Sequence, residues 1–206
     1  MKKFILGIAL FCSVIFASSG LAQEKKIKYS LGGGISTILT PDKFKDSYKS
    51  GLQVTVGIGY NLTSKLVIGG NLIFNSFGID KQKLLQSTGE YQNPNTEIHG
   101  GTITIYQLLA LASYYFFPGE SSINFYVLGG SGLSVGKISE IAVLVPGQRP
   151  SVEEGSTETN FTLAGGLGVK FRVGSSTNLF VEGCYNVLIS GGEDLTYVPV
   201  KLGVIF

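Results

Sequence analysis

Residues 51–62, which read GLQVTVGIGYNL, decide the fold. Successive side chains of a β-strand point to opposite faces of the sheet, so this stretch presents two different faces. One face is apolar and consists of Leu52, Val54, Val56, Ile58, Tyr60 and Leu62. The other face is small or polar and consists of Gln53, Thr55, Gly57, Gly59 and Asn61. This alternation predicts a β-strand with a single apolar face.

The same alternation recurs along the chain and predicts eight strands. Their ranges are 27–38, 51–62, 66–76, 102–117, 123–135, 160–173, 178–190 and 197–206. The connections between them are alternately long and short, and a barrel in an outer membrane has this arrangement of long surface loops and short periplasmic turns. The predicted fold class is therefore all-β: an eight-stranded antiparallel up-and-down transmembrane β-barrel.

Two features indicate that the apolar face points outward. The opposite face is rich in glycine, at Gly32, Gly34, Gly57, Gly59, Gly166 and Gly168. The interior of an eight-stranded barrel is only just wide enough for side chains, so small and polar residues fit there. Aromatic residues also recur near strand ends, as in the girdles at membrane interfaces: Tyr29, Tyr60, Phe74, Phe116, Phe171 and Phe206. The alternative is a soluble periplasmic, lipocalin-like barrel that turns its apolar face inward and binds a ligand there.

The N-terminus has the pattern of a secretory signal peptide. Lys2 and Lys3 precede an apolar run over 4–17, and small residues at Gly20 and Ala22 suit a signal peptidase. We expect a signal peptide over 1–22 and a mature barrel domain over 23–206, located in the outer membrane of a Gram-negative bacterium. Cleavage removes two of the 16 basic residues and leaves the chain neutral, which argues against nucleic acid as a partner.

The end of the chain carries a family resemblance. Residues 197–206, YVPVKLGVIF, alternate and finish on Phe206, and they resemble the C-terminal assembly signal of bacterial outer-membrane barrels. The whole chain resembles the OmpA/OmpX-like outer membrane protein β-barrel domain family, and 114–117 and 125–130 resemble porin-family barrels of Bacteroidetes-type bacteria. The resemblance implies contact with outer-membrane lipid and recognition of Phe206 by the barrel assembly machinery; we expect a monomer. Pro199 departs from the pattern, because a strand in a closed barrel needs a ladder donor there, and it predicts a bulge or a later strand start.

Strand parity points a set of polar side chains into the barrel: Lys170, Arg172, Glu182, Asn186 and Lys201. Reflection of two strands about their short turn places Glu182 opposite about residue 169. We therefore predict an ion-pair network of Glu182 with Lys170 and Arg172, with Lys201 nearby. Because buried charges must be paired, this network would plug the barrel and fix its register. A gate or a proton path is the alternative.

The sequence holds no evident catalytic or cofactor site. Its only histidine, His99, lies in the longest connection, where a solvated residue is expected. Zinc usually takes several His or Cys ligands, and the mature chain offers only His99 and Cys184, so we expect no metal, no cofactor and no enzyme. A lipid-modifying enzyme that uses His99 is the alternative.

Taken together, these features predict a non-enzymatic integral outer-membrane protein with a structural or surface-interaction role and a plugged polar interior. The long loops over 77–101 and 136–159 carry charges of both signs and are where a surface ligand would bind. A narrow porin-like channel for small solutes is the main alternative.

Overall fold

The computed structural model describes residues 27–81, 83, 97–117, 122–144, 151–174 and 176–206. The predicted signal peptide, 1–22, lies outside these residues. Eight long strands form the body of the molecule: β1 (Ile27–Thr40), β2 (Gly51–Asn61), β3 (Leu66–Phe77), β5 (Ile103–Tyr115), β6 (Ile123–Ile138), β9 (Ser156–Arg172), β10 (Asn178–Ile189) and β11 (Leu195–Ile205). Within these described ranges no helix is long and apolar enough to cross a membrane.

The long strands close into an antiparallel barrel in the order β1-β11-β10-β9-β6-β5-β3-β2. The first and last strands seal it: Tyr29 and Phe206 exchange two backbone hydrogen bonds, at 3.3 and 2.9 Å. Closure leaves no unpaired sheet edge, which is the condition for a sheet to cross lipid. The predicted eight-stranded barrel is confirmed, and its strands start or end within a few residues of the predicted bounds.

The two ends of the barrel differ in their connections. The turns β2–β3, β5–β6 and β9–β10 lie at one end, the short-turn end, together with the start of β1 and the end of β11. The remaining connections lie at the opposite end, the long-loop end. Short turns face the periplasm and long loops the outside in outer-membrane barrels.

The apolar face of the strands is the outer surface. Leu52, Leu72 and Leu202 are 70%, 61% and 68% exposed, whereas Gln53 and Lys201 are 2% and 4% exposed. A soluble barrel would bury the leucines and expose the polar residues, so the lipocalin-like arrangement is excluded. Both faces of β5 carry leucines, and Leu108 points outward whereas Leu109 points inward.

Inward glycines make room for large inward aromatic rings. Tyr126 on β6 is the direct cross-strand partner of Gly168 on β9, and a Cβ at Gly168 would overlap the tyrosine ring. Phe180 covers Gly203 and Gly32 in the same way, and a Cβ built on Gly203 would lie 2.6 Å from its ring. The glycine-rich face is therefore a packed interior in which rings cover bare backbone.

Three short strands correct the predicted loops 77–101 and 136–159. These are β4 (Glu97–Gly100), β7 (Ile141–Leu144) and β8 (Ser151–Glu153), and they form a separate sheet in the order β4-β7-β8. We call this sheet the outer sheet. Strands β6 and β9 also extend further than predicted, to Ile138 and back to Ser156. Strand β6 stays paired with β5 up to Ile103–Ile138, whereas 156–160 of β9 run beyond its pairing with β10, which ends at Phe161–Ile189.

The chain passes from the outer sheet into the barrel through two glycines. Gly100 and Gly101 have φ angles of +80° and +74°, a left-handed conformation that residues with a Cβ rarely adopt. A Cβ at Gly100 would also overlap the carbonyl oxygen of Glu140, and the N–H of Gly101 donates to that same oxygen at 3.1 Å. Glycine is thus required at this junction by both conformation and space.

A short helix in the first long connection was not predicted. Helix α1 (Asp42–Ser47) is followed by Tyr48, which forms an isolated antiparallel bridge with Ile79 just after β3. The amide of Asp80 donates to the carbonyl of Ser47 at 2.7 Å. These contacts hold α1 against the neighbouring connection at the long-loop end.

Pro199 behaves differently from either prediction made for it. Strand β11 starts at Leu195, earlier than expected, and keeps one register with β10 on both sides of the proline, from Gly183–Val200 to Asn186–Tyr197. Pro199 itself is buried inside the barrel. The register irregularity lies on β1, between Ile38 and Thr40. A missing donor therefore interrupts the ladder locally without displacing the strand.

Candidate functional site: the barrel interior

An apolar cluster fills the interior at the long-loop end. Its buried members come from five strands: Ile38, Phe77, Ile103, Ile105, Leu188 and Tyr197. Phe44 and Tyr48, from α1 and the residue after it, pack against the cluster from outside. We call this cluster the plug. Phe77, Ile105 and Tyr197 are 0% exposed, so the barrel is closed at this end by close-packed side chains.

A chain of polar side chains lies directly beneath the plug. Ser36 Oγ donates to Asn75 Oδ1 at 2.8 Å, and Asn75 Nδ2 donates to the Tyr197 hydroxyl at 3.2 Å. The Tyr197 hydroxyl in turn donates to Oε1 of Gln107. The chain ties together β1, β3, β11 and β5, and it gives the one polar atom of the plug two partners, as a buried hydroxyl needs.

A charged cluster lies nearer the short-turn end, centred on Glu182. Lys201 Nζ is 2.6 Å from Glu182 Oε1, and both side chains are almost fully buried. The Tyr126 hydroxyl donates to Oε2 at 3.0 Å, and Cys184 Sγ donates to Oε1 at 3.2 Å. The carboxylate therefore has one counter-ion and two further donors, which is what a buried charge requires to be tolerated.

The partner predicted for Glu182 is wrong, although the inward facing of both residues is right. Glu182 lies opposite Gly168, one residue away from the predicted register, so Lys170 faces Phe180 instead. The Lys170 ammonium lies 4.6 Å from the centre of the Tyr115 ring, a cation–π contact. Arg172 is exposed at the rim of the short-turn end. Lys201, expected nearby, is the ion-pair partner, because it lies directly across from Glu182 on β11.

Several buried polar atoms of the interior have no hydrogen-bond partner among the described residues. They are both side-chain polar atoms of Gln53 and of Asn186, together with Thr55 Oγ1 and Gln107 Nε2. Asn186 was predicted to belong to the charged network, but it lies four residues beyond Glu182 on β10, nearer the plug, and is 1% exposed. Unpaired buried polar groups of this kind mark places for bound water or a ligand.

Sequence reasoning missed two residues of the interior, Tyr126 and Tyr197. A signal for each was present. Tyr126 lies two residues before Leu128 on a strand facing the glycine-rich β9, and Tyr197 has the same strand parity as Lys201, which was assigned inward. Strand parity gives the face of a ring but not the partner of its hydroxyl, which depends on the register between strands.

The long-loop end carries the remaining candidate residues. His99 is exposed on β4 and so lies in a strand of the outer sheet instead of a loop. Tyr48 is half-buried near Glu153 of β8. Its pKa is raised, mainly because the phenol is buried and to a lesser extent because the Glu153 carboxylate is nearby, so the phenol stays neutral. Over the described part of the chain, no group of three or more His, Cys, Asp or Glu side chains is placed to hold a metal ion.

Comparisons with solved structures agree with this architecture. Neisserial surface protein A, NspA, is 16% identical with a TM-score of 0.54, and the match covers 88% of this chain and 96% of that one. A major outer membrane protein from Thermus thermophilus is 10% identical with a TM-score of 0.51, covering 87% and 98%. Ail of Yersinia pestis, in complex with the heparin analogue sucrose octasulfate, is 13% identical with a TM-score of 0.50, covering 87% and 97%. At these identities the likeness shows the fold alone.

A family model settles the classification. No curated protein matches the chain. The model described as outer membrane protein beta-barrel domain matches residues 8–205. The match spans nearly the whole sequence and agrees with the closed eight-stranded barrel and its outward apolar face. The chain therefore belongs to the outer membrane protein beta-barrel domain family, and its place is the outer membrane of a Gram-negative bacterium.

Proposed function

We propose that the protein is a non-enzymatic barrel that reinforces the outer membrane or presents its long-loop end for surface interactions, and that it does not conduct solutes. The plug carries this proposal. A solute crossing the barrel would have to pass Phe77, Ile105 and Tyr197, which are packed together without exposed surface. A polar solute loses its hydration at such a constriction and gains no partner in exchange.

Single-barrel recordings in planar lipid bilayers test the occluded interior. We expect the wild-type protein to show no steady openings. The double variant Phe77→Ser/Ile105→Ser should introduce brief openings, because it makes the plug smaller and polar. Phe74→Ser is the matched control, since Phe74 lies on the same strand but is exposed to lipid. Reproducible openings of the wild-type barrel would overturn the proposal in favour of a narrow channel.

The outer sheet supports the surface-interaction part of the proposal. It adds ordered backbone beyond the barrel rim, whereas connections of no function are usually shorter. The connections at this end, 41–50, 78–102, 139–155 and 190–194, hold ten acidic and six basic residues. An acidic surface disfavours a polyanion such as the one bound to Ail, so we propose a neutral or cationic partner for this chain.

Binding to polycation-coated and to sulfated beads tests this partner chemistry. Cells that display the barrel should bind the polycation-coated beads and ignore the sulfated beads at low salt. Replacement of the exposed Glu153, Glu154 and Glu193 by glutamine should lower the binding while the barrel still assembles. Preference for sulfated beads would contradict the proposal.

The proposal extends to the route by which the barrel reaches the membrane. We infer cleavage after Ala22, assembly as a monomer, and recognition of Phe206 by the assembly machinery. Phe206 shares two backbone hydrogen bonds with Tyr29, so its side chain can be changed while the seal is kept. Phe206→Ala should slow membrane insertion in cells yet leave refolding from urea into vesicles unchanged. Equal slowing of both processes would indicate a purely structural role.

A further inference from the structure

The rim of the barrel at the short-turn end carries an exposed group of aromatic rings on β5 and β6. Tyr114, Phe116 and Phe117 come from the end of β5 and the turn after it, and Phe125 comes from β6. The four side chains are 42% to 56% exposed. Their ring centres lie 5.8 Å apart for Tyr114 and Phe116, and 6.4 Å apart for Phe117 and Phe125. We call these four rings the rim patch.

A buried side chain fixes the backbone that presents two of these rings in succession. Phe116 and Phe117 are consecutive, so in a continuing strand one of them would point into the barrel. Strand β5 ends at Tyr115 instead, and Asn124, which is 4% exposed, binds the backbone of Phe117 on both sides. Its Oδ1 accepts from the Phe117 amide at 3.2 Å, and its Nδ2 donates to the Phe117 carbonyl. Both rings are therefore held at the exposed surface of the rim.

Basic side chains flank the rim patch on both sides. The carbonyl of Lys65, in the β2–β3 turn, accepts a hydrogen bond from the Tyr115 amide at 2.8 Å, so Lys65 borders the patch on the β3 side. The amide of Arg172 donates to the Ser122 carbonyl at 2.8 Å, so Arg172 borders the patch on the β9 side. Both basic side chains are exposed, and neither makes an ion pair in the part of the chain that the structure describes.

The charge around the rim patch is positive. Among the described residues, Glu182 is the one acidic side chain that lies away from the long-loop end, and it is buried in an ion pair. The sequence adds Glu120 in the β5–β6 turn, outside the described residues, against Lys65, Lys170 and Arg172. The terminal carboxylate of the chain belongs to the seam between β1 and β11, on the opposite side of the barrel. This stretch of rim therefore attracts anions, whereas the long-loop end is acidic.

An anionic phospholipid of the inner leaflet matches both the rings and the charges. The short-turn end faces the periplasm, so its rim lies at the level of the inner-leaflet headgroups. Long basic side chains at a membrane interface extend to the headgroups and bind phosphate, while exposed rings cover the upper acyl chains. A free anion would leave the four rings uncovered, and the cationic group of a zwitterionic lipid would be repelled by the two basic side chains. Aromatic girdles are general in such barrels, and the two flanking cations distinguish this stretch.

We propose that the rim patch, together with Lys65 and Arg172, binds anionic phospholipids of the inner leaflet. Headgroup phosphates lie at the two basic side chains, and the acyl chains lie on the rings between them. This binding site is independent of the proposed surface role, because it lies at the opposite end of the barrel from the outer sheet.

Nuclear magnetic resonance of the folded barrel tests the proposal in phosphatidylcholine nanodiscs that contain increasing fractions of phosphatidylglycerol. We expect the backbone amide signals of Leu66, Phe116 and Ser122, which border the site, to shift with a saturable dependence on the phosphatidylglycerol fraction. Ser76 and Thr104, at the long-loop end, should keep their signals. Equal shifts at both ends would indicate a general response to surface charge and would overturn the proposal, as would the absence of any shift.

Inorganic phosphate separates the lipid from its headgroup. Added to pure phosphatidylcholine nanodiscs, it should leave the signals of Phe116 and Ser122 unchanged, because it has no acyl chain to lie on the rings. The same shifts with inorganic phosphate as with phosphatidylglycerol would show that the anion alone is recognised, and the lipid site would be wrong.

Single substitutions test the parts of the site. Lys65→Gln and Arg172→Gln should each weaken the response to phosphatidylglycerol about fivefold, the usual contribution of one basic residue near an anionic membrane. Lys137→Gln is the matched control, since this lysine is exposed on β6 at the long-loop end. Phe117→Ser should also weaken the response, whereas Tyr29→Ser, which removes an exposed ring on the opposite side of the same rim, should not. Equal weakening by Phe117→Ser and Tyr29→Ser would assign the lipid to the whole girdle and contradict a localised site.

Discussion

Glu182 is the residue on which the charge balance of the interior depends. Glu182→Gln leaves the Lys201 ammonium, 4% exposed, without its counter-ion. We expect the free energy of unfolding to fall by about 3–5 kcal/mol, as for other broken buried pairs. The test is urea unfolding in phospholipid vesicles, with the folded fraction measured by gel mobility without boiling.

The double variant Glu182→Gln/Lys201→Met provides the control for this prediction. It removes both charges, and replacement of a whole buried pair by uncharged side chains is often close to neutral. We therefore expect the double variant to be more stable than Glu182→Gln alone. If the two unfold at the same urea concentration, the loss comes from packing and not from an unpaired charge.

Substitution of Gly168 tests whether the inward aromatic rings need glycine on the strand opposite them. Gly168→Ala places a methyl group in the Tyr126 ring and should cost about 1–3 kcal/mol through overpacking. Gly165→Ala, on the same strand, is the matched control, because a Cβ there meets nothing within 4 Å. Tyr126→Ala is itself destabilising, because it removes the hydrogen bond to Glu182. In the Tyr126→Ala background, however, Gly168→Ala should cost less than in the wild type, measured by the same urea titration. Equal effects of Gly165→Ala and Gly168→Ala would show that glycine content itself, and not the ring contact, sets stability.

At the scale of the strand, alternation predicted which residues face inward but not which residues meet. Lys170, Glu182 and Lys201 share the expected parity, because side chains alternate with a period of two. The register between neighbouring strands depends on the conformation of the turn at 173–177, which parity does not report. A one-residue difference in register therefore moved the ion pair from Lys170 to Lys201.

The outer sheet could not be predicted from the sequence, because alternation is visible only in long strands. Strands β4, β7 and β8 are three or four residues long, too short to show a period of two. Helix α1 is likewise only six residues long. The eight barrel strands were predictable because each one alternates over ten or more residues between lipid and a narrow interior.

Gly100 should separate the stability of the outer sheet from that of the barrel. Gly100→Ala forces a Cβ into a left-handed conformation and against the Glu140 carbonyl, so β4 should detach from β7. We expect faster hydrogen exchange at 97–100 and 141–144 and an unchanged urea midpoint for the barrel. Gly78→Ala, where a Cβ meets nothing within 4 Å, should leave exchange at both segments unaltered. A fall in the barrel midpoint would show that the two sheets unfold as one unit.

At the scale of the whole molecule, charged substitutions at two different depths in the bilayer test whether the apolar face of the barrel contacts lipid. Leu72 is 61% exposed near the middle of β3, and Leu52 is 70% exposed near the long-loop end of β2. Arginine on the lipid face costs about 2–4 kcal/mol at the bilayer midplane and about 0–1 near an interface. Leu72→Arg should therefore lower the free energy of unfolding in vesicles far more than Leu52→Arg. Because the chain contains no tryptophan, circular dichroism and gel mobility without boiling report the folded fraction. If the apolar face were exposed to water, arginine would lower the free energy of unfolding by the same amount at both positions. Equal effects of the two substitutions would therefore mean that the apolar face does not lie in lipid.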